Sequence, residues 1–139
     1  MRLSQKIGPS LNAIGTNVLA RFLLQDDPEQ FALARKLFET ETVYITLTVL
    51  LETFWVLRKR LAIPQSEVLQ ILSALSRLRN VAIEDAPRFE RTIALTEAGM
   101  GFADALHVSA VEPDMRFATF DRRMFRAAQR AGLQNVFTP

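Results

Sequence analysis

The chain has 139 residues, a formal net charge of +2 and 49% hydrophobic residues, a composition typical of a folded globular protein and not of a disordered one. A chain of this length most economically forms one domain whose core needs no cross-links. It contains no cysteine and one histidine, which excludes a disulfide framework, thiol catalysis, Fe–S ligation and a thiolate zinc site. Its basic residues are 14 Arg and only 3 Lys, a bias toward the side chain that binds phosphate through two N–H groups.

Residues 1–10 are expected to form a leader ahead of a single domain that spans residues 11–139. Arg2 and Lys6 resemble the charged start of an export signal, but Pro9 and later polar residues interrupt the stretch that follows. No apolar run approaches the roughly 18 residues of a transmembrane helix. We therefore expect a cytoplasmic protein with no membrane contact.

Segments with strand composition alternate with segments of helical periodicity along the whole chain. Asn17, Asp27 and Thr48 are the predicted caps of the first three helices, and Pro28 strengthens the second of these starts. In chain order, the predicted elements are a strand at 11–14, helices at 17–24 and from 28, a strand at 42–46, helices from 48 to about 61 and from 64, a strand at 80–84, helices at 87–98 and 102–111, a strand at 116–120, a helix at 122–131 and a strand at 135–137. The third helix is apolar nearly all round and is therefore predicted to be buried, Trp55 included.

This alternation predicts an α/β fold, a three-layer sandwich with a mainly parallel central sheet flanked by helices. Such sheets bind ligands beyond the carboxyl ends of their strands. Four positions follow from that rule, and they are Gly15, Glu52, Asp104 and Asp121.

Three of these four positions are acidic, and each lies within an apolar stretch. A carboxylate among core residues is costly unless it is paired, hydrogen-bonded or bound to a metal. Any one of them is explained as a helix cap or an ion-pair partner, and Asp121 could simply cap the last helix. Three together at one sheet edge favour a shared cation, and carboxylate oxygens without cysteine suit Mg²⁺ or Mn²⁺.

Four blocks of sequence, in order, resemble those of the PIN-domain ribonucleases, and most closely the VapC-type toxins of bacterial toxin–antitoxin pairs. The blocks are Ala13-Ile14-Gly15-Thr16-Asn17-Val18-Leu19, Leu51-Glu52-Thr53-Phe54-Trp55-Val56-Leu57, Phe102-Ala103-Asp104-Ala105 and Ala118-Thr119-Phe120-Asp121. The resemblance implies a Mg²⁺- or Mn²⁺-dependent endoribonuclease that forms a homodimer. It also implies a cognate VapB-type antitoxin as partner, with RNA as substrate.

The resemblance also implies roles for individual residues. The family's catalytic and metal-binding acids correspond to Glu52, Asp104 and Asp121, and its supporting polar residues to Thr16, Asn17 and Thr119. Gly15 stands where the family has a metal-binding aspartate. Changes to residues that only support the metal ligands typically cost about 10–100-fold in metal affinity or activity. Losing a direct ligand should cost at least as much.

Two interpretations of Gly15 therefore stay open. The chain is a weakened or inactivated ribonuclease, or it is a PIN-like module that binds antitoxin or RNA without cleavage. The gene either encodes a natural pseudo-enzyme or has undergone a single base change from Asp to Gly, engineered or selected because an active toxin kills its expression host. We favour the base change because the other acidic positions are intact. A glycine codon in the source gene would contradict that preference.

Arginines at four-residue spacing mark one face of the last predicted helix. They are Arg122, Arg126 and Arg130, with Arg123 beside them. This face either contacts RNA phosphates next to Asp121 or is the solvated side of an amphipathic helix.

Overall fold

A computed structural model describes residues 11–139, so the predicted leader at 1–10 lies outside the described residues. Contacts within the chain divide it into an N-terminal unit that ends at Glu84 and a C-terminal unit that runs from Asp85 to Pro139. Every strand pair in each unit is parallel, which confirms the predicted parallel α/β fold class. The single domain over residues 11–139 stays a prediction.

The N-terminal unit is built around a three-stranded parallel sheet in the order β1-β2-β3. Its strands are β1 (Leu11–Ala13), β2 (Thr42–Ile45) and β3 (Val81–Ile83), and its helices are α1 (Thr16–Leu24), α2 (Pro28–Thr40), α3 (Leu47–Trp55) and α4 (Gln65–Ser76), with a π-helical turn at Val56–Arg60. Ala13 lies opposite Tyr44, and Ile45 lies opposite Ile83. The carboxyl ends of the three strands therefore meet at one edge.

The C-terminal unit contains three helices and two short strands that pair in parallel. They are α5 (Ala86–Glu97), α6 (Phe102–Val108), β4 (Phe117–Ala118), α7 (Arg122–Arg130) and β5 (Val136–Phe137). Small and flexible apolar side chains fill its core, among them Met100, Ala105, Met124 and Ala127. This core holds the start of α7 against α6.

Helix starts follow local hydrogen bonds, and two of the three predicted caps are wrong. Asp27 caps α2 as expected, since its side chain accepts the N–H of Gln30. Helix α1 instead begins after Gly15, which makes no side-chain bond, and Asn17 lies inside its first turn. Helix α3 is capped by Thr46, whose hydroxyl accepts the N–H of Val49, and not by Thr48. The strand before α3 ends early enough to free Thr46 for this role.

Two predicted helices differ from the structure toward their C-terminal ends. The helix after the second strand changes at Trp55 from an α-helix to a π-helical turn, which runs to Arg60, close to the predicted end at about residue 61. Trp55 itself is 45% exposed, so its predicted burial is wrong. Helix α6 ends at Val108, three residues short of the predicted end, and Arg88 and Arg91 donate to a carbonyl of its last turn and to that of the residue that follows.

None of the helices in the described residues 11–139 has the length and apolar character needed to cross a bilayer.

Candidate active site

The predicted site residues fall into two groups, one in each unit. The glutamate subsite is the N-terminal group, Gly15, Thr16, Asn17 and Glu52. The aspartate cavity is a small pocket of the C-terminal unit, lined by Gly99, Gly101, Asp104, Asp121, Arg123 and Met124.

The glutamate subsite is held together by one side-chain hydrogen bond. The Thr16 hydroxyl, at the start of α1, donates to Glu52 Oε1 of α3 over 2.5 Å. This contact brings together the carboxyl end of β1 and the middle of α3, as the sheet-edge rule predicts. Glu52 is exposed although Leu50 and Thr53, close to it on the same helix, are buried. The apolar stretch around Glu52 therefore does not bury its carboxylate.

Gly15 has a backbone that any L-residue adopts. Its φ of −86° and ψ of 169° are those of an extended residue at a helix N-cap. A Cβ built on it would lie 3.3 Å from Asn17 Oδ1, the end of an exposed side chain. A small rotation of Asn17 relieves that contact. An aspartate at position 15 is thus compatible with the fold.

The aspartate cavity brings two of the predicted acids together. Asp104, in the first turn of α6, is half-buried, and Asp121 precedes α7 and is exposed. Both line the same cavity of about 150 Å³. The two aspartates lie 17 positions apart in the sequence, and the packing of α6 against α7 makes them neighbours.

Asp121 has the capping role that the sequence allows for it, and it also lines the aspartate cavity. It caps α7, since its Oδ1 accepts the N–H groups of Arg123 and Met124 over 2.9 and 3.2 Å. The Thr119 hydroxyl accepts the N–H of Asp121 itself over 3.0 Å. Both capping bonds use Oδ1.

The four arginines of the last helix differ in their surroundings. Arg122, Arg123 and Arg126 are exposed, and Arg123 lines the aspartate cavity. Arg130 is also exposed, but its guanidinium lies over Gly99, 2.7 Å from where a Cβ would stand. Arg130 therefore packs against the backbone that forms one wall of the cavity.

One acidic residue at the sheet edge was missed by the sequence analysis. Glu84 directly follows β3, and its carboxylate accepts the N–H of Leu47 over 2.8 Å at the start of α3. It thereby helps to fix the helix that carries Glu52. The signal was present, because Glu84 ends a predicted strand and the sheet-edge rule applies to it as well.

The donor chemistry fits a hard divalent cation in part. Two aspartate side chains line one cavity, and oxygen donors are what Mg²⁺ and Mn²⁺ prefer. Gly15 has no side chain and therefore no carboxylate that could bind a metal ion. Within residues 11–139, no three His, Asp or Glu side chains form a group that could hold a metal ion.

Comparison with known proteins gives one match at the family level. No curated protein matches the chain. The PIN domain family matches residues 14–130, which is most of the chain and covers all the predicted site residues. PIN domains are generally metal-dependent nucleases. A parallel α/β architecture, with acidic residues beyond the strand ends, agrees with this match across both units, and the chain belongs to the PIN domain family.

Proposed function

We propose that this protein is a Mg²⁺- or Mn²⁺-dependent endoribonuclease of the VapC toxin type, weakened by Gly15 in place of the family's aspartate. The observation that carries the proposal is the aspartate cavity, in which Asp104 and Asp121 face one small space within a PIN-family chain. The proposal extends to a cytoplasmic homodimer that a VapB-type antitoxin holds inactive.

Each residue has a definite part in this proposal. Asp104 and Asp121 would hold the ion at the aspartate cavity, and the proposal gives Glu52 a metal-binding role on the family resemblance alone. When bound, a divalent ion in such a site activates water and offsets charge on the cleaved phosphate. The Thr16 hydroxyl orients the Glu52 carboxylate, and the Thr119 hydroxyl orients the backbone of Asp121. Arg123 lines the cavity with a cation that can bind the substrate phosphate.

Gly15 also supports a second candidate function. A PIN-like module without this carboxylate would bind RNA or antitoxin and leave RNA uncut. The two candidates make opposite predictions for one substitution.

Restoring the carboxylate separates the candidates. We expect Gly15→Asp to raise Mn²⁺- or Mg²⁺-dependent cleavage of an unstructured RNA by about 10-fold or more over the native chain. Gly15→Asn is the matched control, because it also caps α1 and fills the same space but carries no charge. Cleavage is followed by gel electrophoresis of end-labelled RNA, with and without EDTA.

Three results would count against this proposal. A Gly15→Asp protein that binds Mn²⁺ and leaves all RNA intact overturns the nuclease function and supports the binding module. Equal cleavage by the native chain and Gly15→Asp shows that position 15 is not the missing ligand. Equal cleavage by Gly15→Asn shows that charge at this position is not what matters.

A further inference from the structure

Phe120 presents an aromatic ring to solvent next to the aspartate cavity. It is 79% exposed, more than any other large hydrophobic side chain of residues 11–139. It stands between Thr119 and Asp121, at the carboxyl end of β4. A ring this exposed, one residue before Asp121, is available to a ligand.

The turn that carries Phe120 is fixed on both sides. The Thr119 N–H donates to the carbonyl of Phe137 over 3.0 Å, which continues the β4–β5 pairing. On the other side, the Asp121 N–H donates to the Thr119 hydroxyl, and the Asp121 carboxylate caps α7. The backbone of Phe120 is thus held in place before any ligand binds, which lowers the entropy cost of binding there.

The segment of the chain that carries Phe120 is rich in arginine. Arg122, Arg123 and Arg126 follow it within six positions, and all three are exposed. Residues 115–139 contain five Arg and one acidic residue, Asp121. An exposed aromatic ring in an arginine-rich segment suits a ligand that has both flat apolar faces and negative charges. Single-stranded nucleic acid has both, whereas the bases of a duplex are already stacked on one another.

We propose that Phe120 is a stacking platform for one unpaired base of single-stranded RNA, next to the phosphate at the aspartate cavity. Arg122, Arg123 and Arg126 contact the phosphates on either side. This inference rests on the proposed function, because it adds a substrate-positioning residue to that same site. It makes Phe120 a determinant of substrate position.

The first experiment compares RNA affinities of the native chain and of variants in EDTA, where no cleavage interferes. Fluorescence anisotropy measures binding of a labelled single-stranded oligoribonucleotide and of the same oligomer with abasic positions. Loss of base stacking corresponds to about 5- to 100-fold in affinity, so Phe120→Ala should weaken binding of the intact oligomer by that factor. Phe120→Tyr should bind as the native chain does, because it keeps the ring.

Two controls separate stacking from charge and from general surface effects. Leu33→Ala removes another exposed apolar side chain, on α2, and should leave affinity unchanged. Phe120→Ala should leave the salt dependence unchanged, whereas Arg126→Gln should reduce the slope by about 0.7 if it removes one phosphate contact.

Several outcomes would overturn the stacking proposal. One is equal binding by Phe120→Ala and the native chain, and another is an equal loss on the abasic oligomer. A third is a fall in molecular mass of Phe120→Ala in light scattering with unchanged RNA affinity, which would show that a second copy of the chain covers the ring. A native chain that binds no RNA also overturns the proposal.

A cleavage assay keeps this inference distinguishable from the proposed function. In the Gly15→Asp background, Phe120→Ala should raise the KM for single-stranded RNA more than it lowers kcat. Unchanged KM with active Gly15→Asp protein overturns stacking and leaves the nuclease intact. Inactive Gly15→Asp protein with Phe120-dependent binding overturns the nuclease and leaves the stacking platform.

Discussion

At the scale of single residues, the contact between Gly99 and Arg130 shows how one backbone angle shapes the aspartate cavity. Gly99 has φ +112°, a conformation that side chains of L-residues rarely adopt. The Arg130 guanidinium occupies the space beside it that a side chain would fill. Glycine at this position therefore allows both the turn after α5 and the close packing of the Arg130 guanidinium against the backbone.

Gly99→Ala should lower the free energy of unfolding by about 1–3 kcal/mol, the usual cost of a residue held in an unfavourable backbone region. The backbone angle accounts for most of this cost, since the clashing atom is the flexible end of an arginine. Urea denaturation of Gly99→Ala in the native and Arg130→Ala backgrounds tests this. If Gly99→Ala does not lower the free energy of unfolding in the Arg130→Ala background, the steric contact with Arg130 dominates instead.

At the scale of secondary-structure elements, side chains from distant parts of the chain bond to backbone groups at the ends of helices. Glu84 accepts an N–H at the start of α3, and Arg88 and Arg91 donate to carbonyls at the end of α6. Free N–H and C=O groups at helix ends need such partners. These elements carry Glu52 and Asp104, so the contacts position the candidate site residues.

Helix α7 offers a separation of structural and chemical roles at Asp121. Asp121→Asn should keep the cap, because Asn and Asp rank about equally at N-caps. Its free energy of unfolding should therefore lie within about a few tenths of a kcal/mol of that of the native chain. Asp121→Ala removes the cap and should lower the free energy of unfolding by about 0.5–2 kcal/mol. Both variants should remove metal-dependent cleavage in the Gly15→Asp background. Asp121→Asn protein that is stable and fully active would limit Asp121 to capping.

At the scale of the whole molecule, the net charge of +2 conceals opposing segments. Residues 25–52 contain six acidic and two basic side chains, a net −4, while residues 115–139 carry +4. The basic segment contains Asp121 and the arginines beside the aspartate cavity. The nearly neutral total therefore says little about partners, whereas the distribution favours an anionic ligand at the C-terminal unit.

Metal binding should appear in the stability of the whole chain, because a ligand that binds only the folded state stabilises it. We expect Mn²⁺ to raise the unfolding temperature of Gly15→Asp more than that of the native chain, and EDTA to reverse the effect. At a concentration of 100 Kd the stabilisation is about 2.7 kcal/mol. Asp104→Asn is the control, and an equal Mn²⁺ effect in that variant would place the ion elsewhere. Differential scanning fluorimetry gives the midpoints.

The sequence by itself determined the alternation of strands and helices, the parallel α/β class and the cap of α2. Each depends on residues close together in the chain, as when Asp27 accepts the N–H of Gln30. The sheet-edge rule also selected Glu52, Asp104 and Asp121 before any contact was known. Their order and spacing made the family resemblance visible, and the PIN domain match bears out that family.

Only the tertiary structure decided which side chains meet and which face water. It exposed Trp55 and Glu52, placed Asp104 and Asp121 at one cavity, and laid Arg130 against Gly99. Local periodicity predicts that a segment is a helix, but the partner that covers each face depends on how distant segments pack. Phe120 is the clearest case, because its ring lies in an apolar stretch and yet remains in solvent beside Asp121.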